Sequence, residues 1–232
     1  MSGGRIALLV FGIIFLLVSV GLLTFGGGLM FAHYGIRDSE GYYTTDTVNL
    51  QRDSYALVTV PADIDMSVGG CCGWQRNWTG LASIRVESES TDTSREIFIG
   101  IGDENQVKDF LSGVKYDEIR EFRIYPYEVD YKRYPGTGVP GLPVDQVWVA
   151  SVHGPGTQIL KWDIEPGQWV LVVMNADASL GVDVSGTIGI KFPWLFGTAL
   201  ACLIAGAVLL VVGILMVVLS ASGSGRGRQA AR

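Results

Sequence analysis

IALLVFGIIFLLVSVGLLTFGGGLMFA, residues 6–32, is a run of 27 residues without a charge, and FPWLFGTALACLIAGAVLLVVGILMVVLSASGSG, residues 192–225, is a second of 34. A bilayer core of about 30 Å is crossed by about 20 helical residues, so each run is long enough to span it. The soluble alternative would have one small core enclose two apolar helices from opposite ends of the chain. The 48% hydrophobic content of the 232 residues is concentrated in these two ends, and both are read as membrane helices.

Flanking cations set the expected orientation, because Lys and Arg near the ends of a span resist translocation. Arg5 precedes the first run, Arg226, Arg228 and Arg232 follow the second, and neither tail holds an acid. The expected layout is a cytoplasmic N-terminus at 1–5, a membrane helix at 6–32 and an extracytoplasmic domain at 33–191. A second membrane helix at 192–220 and a basic cytoplasmic tail at 221–232 complete it. A cleaved signal peptide is the competing account of the N-terminus, with Arg5 as its charged region. The apolar run exceeds the usual length of about 7 to 15, and Met30 stands two positions before Ala32, where a small residue is expected. An uncleaved anchor is the reading adopted.

Between the runs the chain changes character. Residues 33–192 hold all 23 acids and 13 of the 17 Lys and Arg, so the net charge is 13 minus 23, or minus ten. Nucleic acid and anionic lipid are poor partners for such a surface. Such an exterior could attract cations or basic proteins, but simple solubility is the reading adopted. Of the three cysteines, Cys202 lies inside the second run and reads as a small packing residue. Cys71 and Cys72 are adjacent within a Gly-rich segment beside Trp74. Outside the cytoplasm they are a candidate disulfide, either with each other or to a second chain.

The apolar residues of the middle switch to a period of two, as in Tyr55 to Val60, Ile84 to Val86 and Glu96 to Ile101. Further strands are expected at Phe122 to Tyr125, Val147 to Ala150, Gln158 to Trp162, Trp169 to Met174 and Val182 to Ile190. Turn-formers separate them, and Pro166-Gly167 between Trp162 and Trp169 reads as the turn of a hairpin. Asp103 is placed to cap a short helix whose apolar face is Val107, Phe110 and Leu111, with Gly113 ending it. The expected fold is mainly β: an antiparallel β-sandwich of jelly-roll or Ig-like type with one short helix, flanked by two transmembrane α-helices.

Four segments, at residues 97–102, 110–114, 146–150 and 167–179, resemble a group of two-span membrane proteins of bacteria and archaea with no assigned activity. The likeness runs from about residue 40 to 195. It implies an extracytoplasmic β-sandwich between two spans, assigns no catalytic or ligand residue, and leaves out the Cys71-Cys72 segment.

Catalytic chemistry finds few residues to work with. The only histidines are His33, at a span boundary, and His153, two residues from Ser151 and without a nucleophile-elbow motif around it. Gly100-Ile101-Gly102 lacks the third glycine and the βαβ unit of a phosphate cradle, and reads as a turn. Asp63 with Asp65, and Asn175, Asp177 and Asp183, match no calcium loop and read as Asx turns. No catalytic residue, cofactor or metal is expected. The candidate binding surface is aromatic: Trp74 and Trp78 near the cysteines, and Tyr125, Tyr127, Tyr131 and Tyr134 in a loop read as running to Pro143. Asn77-Trp78-Thr79 fits a glycosylation acceptor.

In the second span Gly197, Ala201 and Ala205 recur every four residues, a stripe that lets membrane helices approach closely. The expected function is a noncatalytic, membrane-anchored binding or structural subunit. Its partners are the lipid bilayer and another membrane or surface protein, with a homo-oligomer compatible. A carbohydrate or cell-wall binding module, resting on a flat aromatic platform, is the alternative, and a hydrolase the third.

Overall fold

A computed structural model of the chain describes residues 3–64, 80, 82–123, 128–146 and 148–222. Two compact units result, Tyr42–Phe192 and the pair of segments Met1–Gly41 and Pro193–Arg232. Helix α1 spans Gly3–Gly35, followed by β1 (Tyr43–Thr44), β2 (Val48–Arg52), β3 (Ala56–Thr59) and β4 (Ala62–Ile64). Next come β5 (Ser83–Ser90), β6 (Ile97–Asp103), helix α2 (Glu104–Phe110), β7 (Tyr116–Arg123) and β8 (Glu128–Tyr134). The order ends with β9 (Ala150–Gly154), β10 (Gln158–Asp163), β11 (Gly167–Asn175), β12 (Val182–Lys191) and helix α3 (Trp194–Ser222).

Helices α1 and α3, of 33 and 29 residues, are long and apolar enough to cross a membrane and fit a two-span membrane protein. They pack antiparallel along a seam of small residues spaced by seven. Gly12, Ser19 and Gly26 are buried on α1, and Ala199, Gly206, Gly213 and Ser220 on α3. Seven residues are close to two helical turns, so each set lies on one narrow stripe. The backbones come close: a Cβ at Gly26 would lie 3.0 Å from the Ala199 carbonyl oxygen, and one at Gly213 3.1 Å from that of Gly12. Ser19 and Ser220 donate their hydroxyls to carbonyls of their own helices, Leu16 at 2.8 Å and Val217 at 2.7 Å, so packing carries the seam. Gly197, Ala201 and Ala205 lie off this seam and are exposed, with nothing within 4 Å of a Cβ placed at Gly197. The pairing of the two spans runs on the seven-residue stripe, which buries the glycines that lack side chains at the crossing. Cys202 is a free thiol at the seam's edge, its Cβ 3.1 Å from where a Gly26 side chain would start.

The β unit consists of two sheets of mostly antiparallel strands. One has five strands in the order β1-β12-β5-β10 with β2 also on β12; the other has seven, β8-β7-β3-β11-β6-β9 with β4 also on β11. The sheets share a core in which Leu57, Ile97, Ile99 and Ile101 of the larger meet Val86, Leu160, Trp162, Val182 and Val184 of the smaller. The larger sheet is covered on its other face too. There Ala56, Val58, Phe98, Val172 and Met174 pack under Val107 and Leu111 and against Trp148. A strand buried on both sides reads as a continuous apolar run rather than an alternation, and β6 is buried from Ile97 to Gly102.

Helix α2 forms as its sequence dictates. Asp103 accepts the backbone N–H groups of Asn105 at 2.9 Å and Gln106 at 3.4 Å, and Gly113 leaves the helix with φ +72°. Gly100 and Gly102 sit mid-strand and not in a turn. A Cβ at Gly100 would lie 2.6 Å from Phe98 Cε1 and 2.9 Å from Trp148 Cδ2, and one at Gly102 would lie 3.0 Å from Trp148 Cε3, so both glycines make room for the indole.

Three further expectations are corrected. The Pro166-Gly167 turn joins no hairpin, because β10 pairs with β5 in the smaller sheet and β11 with β3, β4 and β6 in the larger. It is an arch between sheets: Ile164 N–H still donates to Ala82 O at 2.9 Å, and Gly167 then turns with φ +143°. Trp162 and Trp169 meet edge to face across it, 5.5 Å between ring centres. Second, the pairing is not wholly antiparallel, since β3 and β7 run parallel. Third, residues 128–134 are a strand where a loop was expected; β7 and β8 are rich in charge because they lie at the sheet's border, where one face is solvated.

Candidate functional site

The border strands β7 and β8 carry a buried charge cluster. Asp117 pairs in register with Leu57 and therefore points toward the opposite sheet; it is fully buried. Its carboxylate accepts Arg133 Nε at 2.9 Å, Arg133 Nη2 at 3.0 Å and Arg52 Nε, from the end of β2, at 3.1 Å. Burial alone pushes this carboxyl up, but the hydrogen bonds and charges of the two guanidinium groups outweigh it and hold it below its ordinary value. The Arg52 guanidinium also lies 4.2 Å from the centre of the Tyr131 ring. Since β2 belongs to the smaller sheet and β7 and β8 to the larger, this cluster clasps the two along one side.

Tyr131 and Tyr134 therefore lie on strand β8, half-buried, and are engaged within the domain. Tyr134 stacks on Tyr116 with ring centres 4.6 Å apart at 9°, its hydroxyl donates to Glu118 Oε2 at 3.2 Å, and Lys132 Nζ donates to that hydroxyl at 2.6 Å. Tyr131 is covered by Arg52. Neither forms the open platform that a sugar-binding face needs. Cys71, Cys72, Trp74, Asn77, Trp78, Tyr125 and Tyr127 lie outside the described residues.

Ser151 and His153 are exposed on β9, the border strand opposite Gly100 and Phe98. Among the described residues no group of three His, Cys, Asp or Glu comes together as a metal site. The Asn175 to Asp183 segment is a turn closed by its own side chains and tied to the domain through Ala176 N–H on Glu96 O and Gly181 N–H on Ser54 O. Buried Asn175 donates through Nδ2 to Ser179 O and Gly181 O, both at 3.0 Å; Asp177 Oδ1 accepts Ser179 N–H at 3.0 Å, and Ala178 between them has φ +57°. A hydrogen bond from the Ser179 hydroxyl, helped by the Ser179 N–H and the charge of Arg95, lowers the Asp177 carboxyl against the opposing effect of burial.

What sequence reasoning missed is a cleft between the sheets, of about 280 Å³, beside the Arg52–Asp117 clasp. Val48, Leu50 and Val184 wall it from the smaller sheet, and Leu57, Ile119 and Val173 from the larger. It exists because Gly186 and Ser88 face each other in register on the inner face of the smaller sheet and leave that floor short of side-chain volume. The hydroxyls nearby are turned to the backbone: Ser88 Oγ donates to Ser185 O at 3.0 Å, Thr59 Oγ1 accepts Leu171 N–H at 3.1 Å, and Thr45 Oγ1 accepts Ile188 N–H at 3.2 Å. The clue in the sequence was Gly186, one of two glycines within β12.

The segments behind the family resemblance also converge: Phe98, Gly100, Gly102, Phe110, Val114, Trp148, Val172 and Met174 all belong to the doubly covered larger sheet and its cap. They account for packing and contain no reactive set. No protein-family model matches this chain, and no curated protein matches it.

Proposed function

We propose that this protein is a noncatalytic binding subunit anchored by two membrane spans, with a β-sandwich domain held outside the cytoplasm and both termini inside. The observation that carries the reading is the helical seam. Its fully buried positions are glycine, alanine and serine, with Leu16, Leu23, Leu203 and Val217 packed against the glycines, while other large side chains face outward: Leu17 is 70%, Phe31 71% and Leu219 64% exposed, an apolar surface that lipid or another membrane helix must cover. Arg5 and the C-terminal arginines support the orientation. Two sheets over one core support a sandwich, though the parallel β3–β7 pair departs from an all-antiparallel jelly-roll or immunoglobulin type. Among the described residues, the buried carboxylate Asp117 and the buried amide Asn175 are both spent on holding the domain together. The partner we propose is another membrane or surface protein.

The test is protease added to sealed cells bearing an epitope tag at each terminus. Digestion of the β domain from outside, with both tags protected until lysis, is the expected result. A β domain that survives until the cells are opened overturns the placement.

A further inference from the structure

The cleft between the sheets has no role in anchoring, and its chemistry is specific. We propose that it is a binding site for one acyl chain of a neutral or zwitterionic bilayer lipid. The proposal rests on the membrane anchoring above, but not on which side the domain faces or on a protein partner.

Size comes first. An apolar cavity of roughly 150 Å³ takes up benzene, so about 280 Å³ admits a substantial length of hydrocarbon. Chemistry narrows the ligand further. Val48, Leu50, Leu57, Ile119, Val173 and Val184 offer no hydrogen bond, the hydroxyls of Thr45, Thr59 and Ser88 each already engage one backbone group, and Thr187 alternates with Gly186 and Ile188 onto the opposite face, so the space is lined mainly by methyl and methylene surface. Glu87 alternates with Val86 and Ser88 and so turns its side chain to the opposite face. A peptide entering here would bury N–H and C=O groups without partners, at a cost of kilocalories for each, whereas an acyl chain has none to satisfy. A sugar is excluded on the same ground.

Access and supply fit. Ile188 also lines the cleft and is 47% exposed, an apolar side chain already presented to whatever enters. Only five residues separate it from Trp194, where α3 begins, and the six Cα-to-Cα steps span at most about 20 Å. A bilayer that holds α3 is therefore within reach of a lipid tail leaving it. The net negative domain disfavours an anionic headgroup, hence the neutral or zwitterionic class.

The experiment uses the full chain reconstituted in phosphatidylcholine vesicles carrying a trace of phosphatidylcholine with a diazirine near the end of one acyl chain. After illumination, labelled peptides are mapped by mass spectrometry. Expected labelling falls on α1 and α3 and, separately, on peptides containing Leu50, Ile119 or Val184. Filling the cleft with Val184→Phe should lower the β-domain labelling by roughly tenfold while leaving the helices labelled, and Ile159→Phe on the exposed face should change neither. Should Val184→Phe fail to fold, Val48→Phe at the lip replaces it. Wild-type labelling confined to the helices overturns the proposal, as does β-domain labelling that persists in the filled variants. Labelling by a diazirine fatty acid in solution, with none from the vesicle lipid, overturns the bilayer as the source.

Discussion

Asp117 shows what a single residue does here. A carboxylate with no exposure would be expensive alone, yet two arginines from two different strands converge on it and convert the cost into a tie between sheets. Asp117→Asn should lower stability by about 2 kcal/mol at neutral pH, read from thermal unfolding of the detergent-purified chain by tryptophan fluorescence. The figure sits below the roughly 3 to 5 of a fully buried pair because the Arg52 and Arg133 side chains are 30% and 45% exposed and regain water. The pH dependence follows from the sign of the shift. The folded-state value is lowered, so this contribution is complete above the ordinary aspartate range and is lost as the pH falls from that range through the lowered value. The variant should therefore lose less stability than wild type on acidification, and an unchanged acid dependence would show that Asp117 does not supply it.

Among elements, the helical pair makes the sharpest distinction. Two small-residue stripes run along α3, one spaced by four and one by seven, and only the second faces α1. Gly26→Leu places a side chain 3.0 Å from the Ala199 carbonyl oxygen and should destabilise the pair by about 1 to 3 kcal/mol, measured as a lower midpoint on titrating the detergent-purified chain with sodium dodecyl sulfate. At Gly197 an added Cβ meets nothing within 4 Å, so Gly197→Leu should move the midpoint by less than about 0.5 kcal/mol. Equal effects from the two would mean that the four-residue stripe is engaged, by another copy or another protein. In the β unit, the arch between β10 and β11 has the same lesson: Trp162 and Trp169 mark inward faces correctly, but nothing in their alternation says that the two strands lie in different sheets.

For the whole molecule, the question is whether the β unit depends on its anchors. Tyr42–Phe192 is compact, contains two apolar clusters, and carries 12 Lys and Arg against 21 Asp and Glu, a net charge of minus nine. A domain of about 150 residues buries enough surface to fold by itself. Expressed without the helices, 42–192 should be a soluble monomer with a β-type circular dichroism spectrum and a cooperative thermal transition. Aggregation, or a transition without cooperativity, would show that the membrane segments complete the domain.

Local chemistry was legible wherever it depends on neighbours along the chain. Charge-free length announced the two helices, Asp103 and Gly113 bracketed α2, and alternation marked the strands of 158–162, 169–174 and 182–190. The polar strand β8 was not legible, and β7 only at its end, Phe122 and Arg123, since charge at a sheet border looks like a loop. The seven-residue seam was missed because glycines and serines so spaced draw no attention among larger apolar residues.

The candidate site was the least legible part, for a physical reason. Sequence by itself determined which segments are apolar, which face of a strand turns inward and where the chain must bend, because those are set by steric and solvation preferences of adjacent residues. Tertiary structure alone decided that Arg52 reaches Asp117 across 65 positions, that Pro166 and Gly167 switch sheets, and that Gly186 and Ser88 meet to leave a cleft. Each of those depends on which strand lies beside which, a choice made by the packing of the whole unit and not encoded within any one segment.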